Sequence, residues 1–151
     1  MASPKPDAKA PYTRKDFPYF STIQTRWNDN DLCGHINNAV YYTYFDTVVN
    51  GFLIEKGLLQ LGQAQTIGLV VETLCQYFAP LAYPDSIDAG LRTRKIGTSS
   101  VTYEIALFKK GCDTAAAQGH FVHVYVDEKT RKPNPLSNQM RSLLHQLETP
   151  Q

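Results

Sequence analysis

The chain lacks a membrane span: it has no run of 18 apolar residues, which is about the least a crossing helix needs. It has no basic surplus either. Lys and Arg number 15 against 14 Asp and Glu, for a net charge of +1. A nucleic-acid module ordinarily carries such a surplus, so no nucleic-acid partner is expected. Cysteine is scarce and odd in number. Cys33, Cys75 and Cys112 lie far apart, which argues for a reducing compartment rather than a disulfide framework. The opening residues Met1-Ala2-Ser3-Pro4-Lys5-Pro6 have no apolar signal core, so export is not expected and a cytoplasmic location is. Histidine numbers four. His120 and His123 are too few for a metal site, and their offset puts them on opposite faces of a strand. They read as core or surface residues, and neither a metal nor a cofactor is expected. Repeats and low-complexity tracts are absent.

What the chain does have is enough for one domain. Its 151 residues are 42% hydrophobic, long enough for a real core. Residues 1–16 hold Pro, Lys, Asp and Ala without periodicity and read as a flexible arm; residues 17–151 read as a single domain. Ser21 to Trp27 alternates and predicts a strand. From about Asn38 to Lys56, Val40, Tyr41, Tyr44, Phe45, Val48, Val49, Phe52 and Leu53 recur at helical spacing, with Gly57 as a stop. Leu58 to Thr66 reads as a loop. Ile67 to Phe78 is apolar on both faces and reads as a central strand.

Ile87 to Arg94, Val101 to Phe108 and Ala116 to Val126 each alternate, and Lys110-Gly111-Cys112-Asp113 is a hairpin turn. Ser137 can cap a last helix carrying Met140, Leu143, Leu144 and Leu147. Short turns imply antiparallel pairing. The broad apolar face of the long helix needs deep cover. A curved antiparallel sheet of five or six strands wrapped round it supplies that cover, an α+β architecture. One sheet face and one edge remain, so a homodimer is expected, or a tetramer of paired dimers.

The chemistry concentrates in Asp29-Asn30-Asp31-Leu32-Cys33-Gly34-His35-Ile36-Asn37-Asn38-Ala39-Val40-Tyr41. Two acids, a Gly, a His and two Asn stand directly before the apolar helix. Asn37 or Asn38 can cap its first turn. Free backbone donors and the positive dipole end then meet a carboxylate, an arrangement suited to negative charge developing on a carbonyl oxygen. This Asp-x-Asp-x-x-Gly-His-x-Asn-Asn-x-x-Tyr stretch resembles the active-site signature of hotdog-fold acyl-CoA thioesterases, the 4-hydroxybenzoyl-CoA thioesterase-like group. The resemblance continues through Val71-Glu72, Tyr77-x-x-Pro80, Ser99-Ser100-Val101-Thr102-Tyr103 and Val124-x-Val126-Asp127, and covers about Phe20 to Leu144.

The resemblance implies the hotdog fold independently, an acyl-CoA substrate, and Asp31 as the catalytic carboxylate, either as nucleophile or as general base. It places at Asn38 a backbone N–H that polarises the thioester carbonyl. Asn37 and Asn38 are equally readable as simple caps. Gly34 allows an unusual turn or a close approach of the thioester. His35 reads as a loop-orienting residue ahead of an acid or base. Asp29 reads as a structural acid beside Arg26. Glu72 interrupts an apolar strand; it is either a solvated edge residue or, by the resemblance, one that faces a site, its own or the partner's. Ser99 and Ser100 are turn residues or line a CoA path with Arg92, Arg94 and Lys95. Tyr41 and other aromatics are core, with some lining an acyl pocket. Cys33 has no third partner that would make it a nucleophile.

Three classes of function compete. The first is thioester hydrolysis, the preferred reading. The second is an enoyl-CoA hydratase or dehydratase on the same fold. Its loop is expected to hold Asp, four residues and then His with Asn-Pro between, whereas Asp31 and His35 enclose three residues and no Asn-Pro. The third is a non-catalytic acyl-CoA binder, for which an added output domain is expected.

Overall fold

The computed structural model describes residues 9–59, 62 and 65–148. Residues 1–8 of the expected arm and most of the central part of the Leu58–Thr66 loop lie outside the described residues. The strands are β1 (Tyr19–Gln24), β2 (Thr66–Tyr77), β3 (Ser86–Ile96), β4 (Ser100–Lys109) and β5 (Ala117–Asp127); the helices are α1 (Val40–Glu55) and α2 (Asn138–Gln146). All five strands pair antiparallel in the order β1-β3-β4-β5-β2. This is the hotdog arrangement, with α1 packed against one face of the sheet.

Period two decides which side chains meet α1. Leu91, Ala89 and Ile87 of β3, Val101, Tyr103, Ile105 and Leu107 of β4, and Ala117, Phe121 and Tyr125 of β5 form one core with Tyr41, Tyr44, Phe45, Val48, Val49, Phe52 and Leu53 of α1. The helix is buried at the periodic positions the sequence marks. Ser137 Oγ accepts from the Met140 amide at 3.1 Å, and Met140 and Leu144 enter the same core.

Three local expectations are corrected. The strand expected at Ser21–Trp27 begins and ends earlier, because Trp27–Asp29 is a 3-10 turn. Helix α1 begins at Val40 rather than Asn38. Residues 12–16 are not a loose arm. The opposite face of the sheet carries its own apolar patch at Ala106 and Phe108, and Phe17, Ala115 and Tyr12 cover it. The backbone follows: the Tyr12 amide donates to Gln118 Oε1 at 2.7 Å, and Arg14 binds Asp88 Oδ2 at 2.8 Å. Burying this patch outweighs the entropy of a free arm.

The core also holds a polar chain. His123 is buried, and its Nδ1 lies 3.2 Å from the Tyr125 hydroxyl, itself 2.9 Å from the Tyr103 hydroxyl. Burial lowers the His123 pKa to about 4. A depressed imidazole stabilises the fold fully above its unfolded value near 6.5, and that contribution is lost as pH falls from there to about 4, where the unfolded chain binds the extra proton. The loss reaches ~3 kcal/mol at the acid end of that window. Urea unfolding between pH 7 and pH 4 is expected to show this component in wild type and not in His123→Phe. Identical pH slopes in the two proteins would remove it.

Candidate active site

The Asp-x-x-Gly-His spacing has a backbone cause. The Gly34 amide donates to Asp31 O at 3.1 Å and the Asp31 amide to His35 O at 2.8 Å. Leu32, Cys33 and Gly34 therefore form a three-residue hairpin loop, and Gly34 takes the left-handed position that closes it, with φ +78°. The Asp31 side chain folds back over this turn, its Oδ1 accepting from the Cys33 amide at 2.8 Å. Asp31, Gly34 and His35 are all exposed.

The hairpin is tied to the sheet and the helix. The Ile36 amide donates to Leu81 O at 2.8 Å and the Asn37 amide to Asp29 O at 2.9 Å. Asp29 is the anchor beneath it. Its buried carboxylate accepts from the Tyr44 hydroxyl at 2.6 Å and the Arg26 amide at 2.9 Å, with Arg26 Nη2 3.3 Å away. Burial alone would raise this carboxyl. The Tyr44 bond, then the Arg26 amide and charge, outweigh it and hold the Asp29 pKa below the ordinary value. The same pair drives the Tyr44 phenol well above its usual range, burial first and the Asp29 bond next. Tyr44 was marked by the sequence only as a core residue of α1. Its role as the anchor's hydrogen-bond donor needed the fold.

At the start of α1, Asn37 Oδ1 accepts from the Ala39 amide at 2.9 Å, and Asn37 O from the Val40 amide at 2.9 Å. Asn37 is thus the residue that orders the helix entry. The Asn38 side chain makes no hydrogen bond among the described residues. Its carbonyl accepts from the Tyr77 hydroxyl at 2.7 Å, while its own amide N–H has no acceptor among the described residues. Tyr41 stacks edge-on with Tyr77, ring centroids 4.9 Å apart. Its phenol pKa is raised mainly by burial, with the Asp31 charge among the smaller causes. Two shallow concavities flank this point. Asp31, Gly34 and Asn37 line one, with Trp27; His35, Asn38, Tyr41 and Tyr77 line the other, about 310 Å³ in volume.

Asp31, Gly34, His35, Asn37, Asn38 and Tyr41 are therefore brought to one end of α1. The remaining candidates are not. Glu72 sits beyond the bulge at Val71 on β2, where its Oε2 lies 3.0 Å from His120 Nε2, exposed on the sheet face away from α1. Arg92 and Arg94 are on that face too. Arg92 is held by Glu104 and lies over the Tyr12 and Phe17 rings, and Arg94 Nε is 3.5 Å from Glu104. Both arginines share the one Glu104 carboxylate, and Arg94 remains half exposed. Ser99 and Ser100 stand at the β3–β4 turn, where Ser99 O accepts from the Tyr125 amide at 2.7 Å. Among the described residues, no cluster of His, Cys, Asp and Glu has the makings of a metal site, and no helix is long and apolar enough to cross a membrane.

The family model described as the thioesterase-like superfamily matches residues 25–144, from just after β1 to the last turn of α2. The chain belongs to the thioesterase-like superfamily. Membership supports thioester hydrolysis as its class of reaction. Among solved structures, the chain is similar to the PA5185 protein of Pseudomonas aeruginosa strain PAO1, with 46% identity and a TM-score of 0.89 over 91% of this chain and 96% of that one. It shares its fold with BH1999 gentisyl-coenzyme A thioesterase, at 23% identity and a TM-score of 0.75 over 83% and 99% of the two chains. The protein YsmA of Bacillus subtilis (strain 168) is 24% identical over 89 residues, which span 59% of this chain and 60% of YsmA.

Proposed function

We propose that the protein hydrolyses an acyl-CoA thioester at the end of α1, with Asp31 as the reacting carboxylate. The observation that carries this reading is that an exposed Asp31 carboxylate and an Asn38 amide with no acceptor among the described residues both stand ahead of α1. That amide and the positive end of α1 stabilise the oxyanion as the carbonyl is attacked. As general base, Asp31 takes a proton from water while the water oxygen bonds the carbonyl carbon; the C–S bond then breaks and the CoA thiolate leaves with the proton. As nucleophile, Asp31 bonds the carbonyl carbon itself, CoA leaves, and water cleaves the resulting anhydride. Both routes give free acid and CoA. His35 and Gly34 shape the turn that presents Asp31. The gentisyl-coenzyme A thioesterase of like fold supports CoA as the carrier.

The discriminating assay is a panel of acyl-CoA and enoyl-CoA thioesters, with free thiol and hydration followed separately. Thiol release without hydration is expected. Hydration without thiol release would instead favour the hydratase reading.

The proposed assembly is a homodimer through β2, or a tetramer of such dimers. β2 pairs with β5 on one side only and is one of the sheet's two edges. Leu69, Val70, Val71, Leu74 and Tyr77 along it are all exposed, and a long apolar edge strand is a template for pairing. Light scattering is expected to give at least twice the 17.0 kDa chain mass. A fully active species of the single-chain mass at micromolar concentration would overturn it.

A further inference from the structure

Tyr77 is the last residue of β2, and its backbone is locked into the sheet opposite Ala117 of β5. Its ring meets the Tyr41 ring at the start of α1 edge-on, with centroids 4.9 Å apart. From there the Tyr77 hydroxyl donates to Asn38 O at 2.7 Å. This bond belongs to no helix and no sheet ladder. It ties the end of one element to the lead-in of another, 39 positions apart in the chain.

A carbonyl in a helical turn ordinarily takes the amide four residues on. Here the Tyr42 amide bonds Ala39 O at 3.3 Å instead, and the Asn38 carbonyl is left to Tyr77. Two peptide planes meet at the Asn38 Cα. In the first, Asn37 O accepts from the Val40 amide at 2.9 Å. In the second, Asn38 O accepts from Tyr77, and the Ala39 amide donates to Asn37 Oδ1 at 2.9 Å. Three of the four polar backbone atoms are therefore tied down. The fourth is the Asn38 N–H, which has no acceptor among the described residues. With both flanking planes held, the direction of that N–H is set before a ligand arrives. A donor fixed in advance stabilises developing charge without reorganising.

We propose that Tyr77 is a positioning residue for hydrolysis: its hydroxyl holds the peptide that follows Asn38 and so keeps the Asn38 amide aimed at the thioester oxygen. The inference rests on the thioesterase reading above and adds to it the residue that holds the polarising amide. Without the hydroxyl, Asn38 O is free to take the Tyr42 amide, and α1 can wind back by one residue. That turns the second plane about the Asn38 Cα and loosens the donor. The hydroxyl stays protonated at any working pH, because burial first and Cys75 next drive the Tyr77 phenol well above its ordinary pKa. Its proton is held and not transferred, so Tyr77 acts on the rate and not on its pH dependence. Asn37 holds the same plane from the Ala39 end.

The first test is Tyr77→Phe in the full-length protein, which keeps the ring beside Tyr41 and removes only the hydroxyl. Its kcat for thiol release is expected to fall at least ~5-fold, short of the ~10²-fold that loss of an oxyanion donor itself costs. KM is expected to stay within ~2-fold of wild type, and the pH profile of kcat to keep its shape. A kcat loss under ~5-fold, or a loss carried by KM, overturns the proposal. Asn37→Ala frees the same plane from its other end and is expected to lower kcat at steady KM in the same way; unchanged kcat there overturns it too.

The second test reads the donor directly. The acyl-CoA that wild type hydrolyses fastest in the panel, isotope-labelled at its carbonyl carbon, is bound to Asp31→Asn, which is expected to turn it over slowly. Infrared difference spectra are expected to show the carbonyl stretch lowered from that of the free thioester, and the lowering to shrink when Tyr77→Phe is added. A merely structural role would change stability and leave the bound carbonyl alone. An equal lowering in the two proteins therefore overturns the positioning by Tyr77 and leaves the thioesterase reading standing. Wild type that releases no thiol, or an Asp31→Asn complex with no lowering at all, overturns that reading instead, and this proposal falls with it.

Discussion

Asp31→Asn is expected to lower kcat by at least ~10²-fold, the lower end for removal of a general base, with little change in KM and no loss of assembly. The amide keeps the size of the carboxylate and can still accept from the Cys33 amide, the one hydrogen bond the Asp31 side chain makes among the described residues. The hairpin itself is closed by backbone bonds and by Gly34, which the substitution does not touch. What disappears is the capacity to take a proton or attack a carbonyl. The Asn38 amide remains to polarise the thioester, so binding should persist. Thiol-release kinetics over a substrate range, beside a thermal unfolding curve, would separate the two effects. Retention of more than about a tenth of wild-type kcat, a barrier change under ~1.4 kcal/mol, would remove Asp31 from the chemistry. Asp29 offers the contrast. It is buried, bonded three ways and part of the scaffold, so its loss should act through loop order and not through the reacting carboxylate.

The largest effect on stability is expected at Gly119→Ala. Gly119 sits in β5 between Cys75 of β2 and Ile105 of β4, under Phe45 of α1. A Cβ there would lie 1.8 Å from Leu74 O, 2.8 Å from Leu74 C and 2.9 Å from Phe45 Cε2. Phe45 is fully buried and cannot swing away, and Leu74 presents backbone. Relief requires moving β5, which is hydrogen-bonded on both sides, or pulling the β2 backbone away from it. Overpacking usually costs 1–3 kcal/mol and more where backbone must move, so a loss of at least ~3 kcal/mol is expected, a fall in Tm of roughly 10 °C. Gly51→Ala is the control. It lies exposed on α1 with nothing within 4 Å, and alanine there should gain up to ~1 kcal/mol of helix propensity. Calorimetry placing Gly119→Ala within ~1 kcal/mol of wild type would refute the clash.

The sequence by itself determined the local elements and the reacting loop. The period of Tyr41, Tyr44, Phe45, Val48, Val49 and Phe52 specifies a helix with one buried face, and alternation in β3, β4 and β5 specifies half of each strand for the core. Asp31, Gly34 and Asn37 were legible because a short hairpin and a helix entry are built from neighbours in the chain, and their turn chemistry is local. Only the tertiary structure decided the rest. The apolar run of β2 read as a central strand, yet it is one edge of the sheet with much of that surface exposed, since strand order is set by pairing partners distant in the chain. Tyr12 read as part of an arm until a patch on the far face of the sheet gave it something to cover. Arg92 and Arg94 read as a basic cluster, but their shared ion pair with Glu104 depends on a cross-strand register. Side chains that meet within a turn leave a pattern in the sequence; those that meet across the sheet are fixed by the register of strands many residues apart, and no local pattern encodes that.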